Sequence, residues 1–334
     1  MKVCSILSRI VALAGLLCLL AAPAALAQED DRKDWPAHLR VLTGPKGGQW
    51  FTMGKPIAEI LSKAVAPATS RAGGGIVNND SLNKGAGDIG FSLTSFRGTS
   101  LSGEPEYRHL NYGNVTVLAN LYPQVLYFLL PRSFVEKHGI TSVGSLLNAG
   151  VPVRFASLKA GTASEFILTL LFKYGYGMTY DDLRARGWTL SFNNYAEIAD
   201  NFASRELDCF AYTAGGSVPL ILSLEEHTDM CILPVEQEVL DKLSRMFKTT
   251  SYTIQPGDYR SVRKPVTTLG DWTCLLVRKS LPESMVYAIN KALWEQRDAI
   301  SSVIRDFGRL SPQTALPQGM EAHPGSVDFW KTCK

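Results

Sequence analysis

Three short segments rich in glycine and hydroxyl side chains, each placed just ahead of a helix-like run, hold the residues best suited to chemistry in this chain. The first is Thr43-Gly44-Pro45-Lys46-Gly47-Gly48-Gln49-Trp50. The second, Ala72-Gly73-Gly74-Gly75, precedes Asn78, and the third is Ala160-Gly161-Thr162-Ala163-Ser164. Glycine lets a ligand approach the main chain, and the unpaired N–H groups at a helix start favour an anion. Lys46 adds a mobile positive charge and Trp50 a flat apolar wall. Thr162 and Ser164 are also N-cap candidates, a role worth about 1 kcal/mol. Donors converging from both halves of the chain point to an acidic solute. The first loop carries neither Gly-x-Gly-x-x-Gly nor a terminal Gly-Lys-Ser/Thr, so a nucleotide site is poorly supported.

Other chemistries find less support. There is no His-Glu-x-x-His and no Gly-x-Ser-x-Gly, and the five histidines (His38, His109, His138, His227, His323) form no ligand-spaced cluster. Asp181-Asp182 and Glu225-Glu226 are adjacent pairs suited to solvated helix ends, and His323 reads as structural, in a tail packed on the first lobe. Ser164 and Cys209 are the available nucleophiles, and neither has an evident base nearby. No catalytic residue, metal or cofactor is expected; an exported α/β hydrolase or transferase in the same cleft is the alternative.

The 334 residues are 46% hydrophobic and 19% charged, with a net charge of +3. This excludes a disordered charged tail and a nucleic-acid binder built on bulk positive charge, and the length suggests two lobes. Lys2 and Arg9, the apolar run Ile10 to Ala22, and Ala25-Leu26-Ala27 make residues 1–27 a secretory signal peptide cleaved near Ala27-Gln28. Leu17 before Cys18 is too bulky for a lipobox. The expected location is therefore periplasmic. Beyond the leader, Cys209, Cys231, Cys274 and Cys333 remain, none at Cys-x-x-Cys spacing; three disulfide pairings and free thiols all stay open.

The elements that must position the loops alternate strand, loop and helix. Strands are expected at His38–Leu42, Asp88–Leu93, Val151–Ala156, Thr189–Asn193 and Asp208–Thr213. Helices are expected at Trp50–Val65, Ile76–Lys84, Glu165–Tyr174, Ala196–Ser204 and Met285–Ile304. Such alternation implies an α/β fold with parallel sheets. Val115–Leu130, broken at Tyr122-Pro123, reads as a strand crossing between lobes and Val266–Val277 as the return. Lobe I is then 28–122 with 268–334, and lobe II 123–267, with a ligand cleft between them.

These residues resemble a known family. Leu42 to Phe51 is similar to the Gly-Thr-Gly-Gly-x-Gly-Gly-x-Tyr-Tyr opening of the TAXI solute receptors of tripartite ATP-independent (TRAP) transporters. Ala72-Gly73-Gly74-Gly75-Ile76-Val77-Asn78 resembles their Thr-Gly-Gly-Ser-Val-x-Asn, and Gly87-Asp88-Ile89-Gly90-Phe91 their x-Asp-Leu-Gly-Phe. Tyr195 to Asp200, Leu207 to Ala211, Gln255 to Tyr259, Val286-Tyr287 and His323-Pro324-Gly325-Ser326 follow in order. The resemblance implies a type II periplasmic-binding-protein fold that closes on a small solute, an organic acid or amino acid, and hands it to an ion-gradient-driven membrane permease. A monomer is expected, and the near-neutral charge gives no nucleic-acid partner; a receptor for a membrane sensor is the other non-enzymatic possibility. By matching position, Thr43, Gly44, Gly48 and Trp50 would form one wall, to which Lys46, unusual in the family's first loop, would add its charge. Gly74, Gly75, Asn78, Ser92 and Thr94 would continue it. Gly161, Thr162, Tyr195, Tyr212 and Gly215 would face them. Gly75 replaces the family's serine and Trp50-Phe51 its two tyrosines, so the site has fewer hydroxyls and the solute's identity does not carry over.

Overall fold

The computed structural model describes residues 32–333 apart from 108, 109, 111, 217 and 318. The leader expected at 1–27 lies outside them. In the first part of the chain, β1 (Leu39–Leu42), α1 (Gln49–Ala64), β2 (Ala68–Arg71), α2 (Gly75–Asn83), β3 (Ile89–Leu93) and α3 (Thr94–Leu101) alternate, β2 and α3 standing outside the expected set. The long β4 (Val115–Pro131) leads to α4 (Arg132–His138), α5 (Val143–Asn148), β5 (Arg154–Leu158) and α6 (Ala163–Thr169). Then come α7 (Tyr180–Ala185), β6 (Thr189–Asn193), α8 (Tyr195–Ala203), β7 (Cys209–Ala214) and α9 (Pro219–His227). After β8 (Met230–Ile232), α10 (Gln237–Phe247) and β9 (Thr250–Ile254), β10 (Val266–Arg278) returns to α11 (Glu283–Glu295), α12 (Arg297–Ser301) and α13 (Pro324–Thr332).

Three expectations are corrected. β4 runs unbroken through Pro123, which pairs with Trp272 at a point where β7 has not yet begun to pair. A missing N–H is harmless on the side of a strand with no neighbour. The expected Met285–Ile304 helix divides at Gln296, which leaves helical geometry (φ −104°, ψ 13°) between α11 and α12. On α1, where helical spacing put Ile57, Ile60, Leu61 and Ala64 on one apolar face, the buried stripe is Met53, Ile57 and Leu61, and Ala64 is exposed.

Among the described residues the strands form one sheet, ordered β2-β1-β3-β10-β4-β7-β5-β6, with β8 on β4 and β9 on β10. β1 is parallel to β2 and β3, and β5 is parallel to β6 and β7, so the order 2-1-3 recurs as 6-5-7. The antiparallel β4 and β10 join these two sets and change partners part-way. β10 pairs with β9 from Val266 to Gly270 and with β3 from Thr273 to Val277. β4 takes up β7 only from Val125 onward.

The repeat extends to charge. Arg40, on β1, donates its main-chain N–H and guanidinium to Asp88, and Arg154, on β5, does the same to Asp208. Each pair ties a first strand to the start of the third. One large apolar cluster, including Phe91, Phe96, Phe128, Phe155 and Phe172, runs beneath both sets; a second, around Tyr127, Phe202 and Tyr212, belongs to the β5–β7 side. The four described cysteines are free thiols. No helix among the described residues is long and apolar enough to cross a membrane.

Candidate functional site

A cavity of about 860 Å³ opens between the two parallel sets, at the carboxyl ends of β1, β5 and β7. Such ends are where open α/β sheets take ligands. Its first wall is the loop from Gly44 to Trp50, in which Gly47 sits at φ +88°, a left-handed conformation that glycine adopts without strain. Gly48 precedes α1, and no side chain caps that helix, so its first N–H groups remain open. The facing wall comes from the loops before α6, α8 and α9, and Val303 to Arg305 closes one side.

The polar groups on these walls divide into used and unused. Thr162 Oγ1 accepts from the Glu165 N–H at 3.3 Å and donates to the Lys159 carbonyl at 2.8 Å, capping α6. Asn194 caps α8 by accepting from the Glu197 N–H at 3.0 Å. Trp50, 6% exposed, packs on Phe91 and donates its indole N–H to the Thr273 hydroxyl at 3.2 Å. Gln124 donates to the same hydroxyl at 2.8 Å, while its Oε1 is buried with no partner. The Tyr212 hydroxyl is likewise buried and unpartnered. Burial holds that phenol's pKa well above its ordinary value, and the neighbouring Tyr195 and Tyr259 add to the effect, so Tyr212 stays protonated and able to donate.

No curated protein matches this chain in sequence. Residues 41–332 match the NMT1-like family. The chain belongs to that family. Among solved structures, the periplasmic binding protein BugD is 13% identical, with a TM-score of 0.51 over 89% of this chain and 94% of the other. MatC from Rhodopseudomonas palustris with bound malate is 14% identical, with a TM-score of 0.51 over 89% and 96%. At such identities the likeness is one of fold: two α/β lobes, as the strand alternation implied, of the periplasmic-binding type that the family resemblance implied.

In this NMT1-like chain, Gly44, Lys46, Gly48, Trp50, Gly75, Thr162, Tyr195 and Tyr212 line the cavity. The other expected site residues stand behind it. Asn78 donates to the carbonyls of Thr43 and Phe91 at 2.9 and 2.8 Å and accepts from the Gly74 N–H, binding two glycine loops together. Thr43 turns its hydroxyl to the Arg71 carbonyl, Ser92 accepts from Asn79, and Thr94 donates to Asp271 at 2.5 Å. All are buried, so their polar atoms serve the scaffold. Gly74 and Gly161 meet across the gap: a Cβ on Gly74 would lie 3.1 Å from the Gly161 carbonyl oxygen. Gly215 donates its N–H across the gap to Gln49 at 3.1 Å.

Gln49, Gln124, Asn194, Val218, Leu220 and Arg305 also reach the cavity and were not singled out from sequence. A signal for Gln124 existed, as an amide inside the apolar crossing strand; Asn194 announced itself as an N-cap. The two nucleophiles weighed for a hydrolase are both engaged or hidden. Ser164 Oγ accepts from the Thr213 N–H at 2.9 Å, and Cys209 is fully buried, with burial pushing its thiol pKa well up. None of the four described histidines lines the cavity.

Proposed function

We propose that this NMT1-like chain is an extracytoplasmic solute-binding protein that captures a small carboxylate-bearing solute between two lobes. It delivers that solute to a TRAP-type permease, as a TAXI receptor. The lobes are residues 28–122 with 268–334 and residues 123–267, turning about the stretch where β4 and β10 change partners. The observation that carries this reading is the cavity itself: both parallel sets contribute walls, and its first wall offers an uncapped helix start beside Lys46. Those are the features that favour a negative group.

The test is thermal denaturation of the mature protein against small carboxylates, amino acids and sugar acids. A ligand that binds only the folded state adds about 2.7 kcal/mol at a hundredfold excess over its Kd, so at least one member should raise Tm by several degrees. A flat response across the panel would defeat the acidic-solute reading. Adjacent genes for a fused four-plus-twelve-helix permease would support the transport role; a neighbouring sensor kinase would favour a receptor instead.

A further inference from the structure

The cavity wall carries cations and donors, and no acid lines it among the described residues. Lys46 and Arg305 are both exposed on it, and neither forms an ion pair among the described residues. Asp306 is bonded to Gln49 yet stays off the wall, 2% exposed, its carboxylate also paired with Arg309. Main-chain acceptors point elsewhere too: the carbonyls of Gly48, Thr162, Asn194 and Val218 each accept from the helix that begins there. Carbonyls at a helix start run along the axis, away from the open N–H end.

Most hydroxyls and amides on the wall are engaged or hidden. Thr52, Thr162, Ser164 and Thr213 bond the protein's own groups, and Gln49 is bonded at both ends. The Tyr212 hydroxyl and Gln124 Oε1 are sealed from solvent and meet nothing in the cavity. Two donors stay within reach. The Asn194 oxygen caps α8, which leaves its NH2 without a partner among the described residues. Tyr195 is part-exposed, and its hydroxyl makes no hydrogen bond among them. Desolvation pushes that phenol's pKa up to about 12, so it donates at neutral pH. The Tyr195 ring stands edge-on to Tyr212, centroids 5.9 Å apart, and reaches over the gap: a Cβ on Gly48 would lie 3.8 Å from Tyr195 Cε2. The ring edge that bears the hydroxyl thus lies against the loop that carries Lys46.

We infer that the solute is a 2-oxo or 2-hydroxy carboxylic acid with no ammonium group. Lys46 takes the carboxylate, and Arg305 adds a second positive charge to the wall. The Tyr195 hydroxyl donates to the oxygen on the adjacent carbon, with the amide of the preceding Asn194 as a second donor. An amino acid would set an ammonium at that carbon, facing cations and donors with no acid to pair it, and an enclosed charge without a partner is destabilising. A plain acid would leave both donors without an acceptor. This inference rests on the solute-binding reading above and names the chemical class for that same cavity.

Calorimetric titration of the ligand-stripped mature protein tests it on three skeletons, each as oxo, hydroxy and amino acid. The sets are phenylpyruvate, phenyllactate and phenylalanine; 4-methyl-2-oxopentanoate, 2-hydroxy-4-methylpentanoate and leucine; and 2-oxoglutarate, 2-hydroxyglutarate and glutamate. On the skeleton that binds tightest, the oxo or hydroxy acid should bind at least about tenfold tighter than the amino acid. Tyr195→Phe should weaken that acid about tenfold and leave the parent acid, with CH2 at the same carbon, unchanged. Asn194→Asp keeps a capping residue on α8 and puts a carboxylate on the wall, so it should narrow the preference over the amino acid. Melting curves confirm that both variants fold. An amino acid that binds as tightly as its oxo and hydroxy partners overturns the inference and leaves the solute-binding reading standing. So does a preference that neither substitution moves. Binding by none of the nine acids counts against both.

Discussion

Gln49 accepts the main-chain N–H of Gly215 across the cleft at 3.1 Å, and its amide nitrogen donates to Asp306 at 3.2 Å. Asp306 is 2% exposed, so the far end of Gln49 is anchored in protein while the near end holds the opposite wall. Gly215 in turn accepts from the Tyr127 hydroxyl at 2.8 Å, which extends the tie into the sheet that carries the facing wall. Gln49→Leu removes this tie without emptying the space. The expected result is a larger radius of gyration for the unliganded protein in solution scattering and weaker solute binding, with Tm lowered by no more than a few degrees. An unchanged scattering profile would show that the bond does not hold the walls together.

Gly74 gives a steric version of the same experiment. Its backbone is extended (φ −173°), which any residue tolerates, so the cost of a side chain there falls on the Gly161 carbonyl opposite. Gly74→Val should wedge the loops apart, weakening the tightest solute found by at least tenfold while the melting temperature of the empty protein stays within about two degrees. Undiminished affinity would mean that the two loops need not meet for binding.

Asp271 lies on β10 where that strand passes from β9 to β3, and it accepts from the Thr94 hydroxyl and from the N–H groups of Ser95 and Trp272. Burial lifts its carboxyl to about 6 in spite of these donors. A raised pKa in the fold means the protonated form is favoured there. Its contribution is complete below the ordinary carboxyl range and is lost as pH rises through about 6. Asp271→Asn mimics the neutral form, so its stability relative to the parent should improve between pH 4 and 7, by up to about 3 kcal/mol. Parallel stability-versus-pH curves for the two proteins would remove Asp271 from the account.

Asp88 and Asp208 should behave in the opposite sense. Burial raises the Asp88 carboxyl pKa, but the bonds from Arg40 and the nearby charge of Arg278 more than reverse this. Asp208 is lowered in the same way by Arg154. Both therefore stabilise the fold above the ordinary carboxyl range and lose that contribution as pH falls through their depressed values. The Asp88 side chain is 2% exposed and holds two arginines, whereas that of Asp208 is 16% exposed and holds one. At pH 7, Asp88→Asn should cost about 3 kcal/mol and Asp208→Asn about 1 kcal/mol, as measured by urea denaturation. Equal costs would contradict the burial argument.

Alternation of apolar runs with glycine turns made much of this architecture legible. Thr189–Asn193 is a strand with the expected bounds, the return strand Val266–Arg278 runs one residue past the expected Val277, and α1 begins one residue early. β2 was not legible because Ala68-Thr69-Ser70-Arg71 is a mostly exposed edge strand with no apolar signal. α10 carried one, in the spacing of Val239, Leu240, Leu243 and Phe247, and it went unused. At the site, sequence revealed which loops approach the cavity but not where side chains point. Thr43, Asn78, Ser92 and Thr94 have the right chemistry for a ligand and turn it inward, because buried groups beside them needed partners first: main-chain carbonyls for Thr43 and Asn78, the side chains of Asn79 and Asp271 for Ser92 and Thr94.

The unpaired thiols have a practical use. Cys231 follows the first residue of β8 and Cys333 comes just after α13, on opposite sides of the proposed hinge; both are part-exposed, while Cys209 and Cys274 are sealed inside. Maleimide dyes would thus attach selectively at two native positions, one per lobe, with no engineered cysteine. Energy transfer between them would report, molecule by molecule, how often the jaws shut.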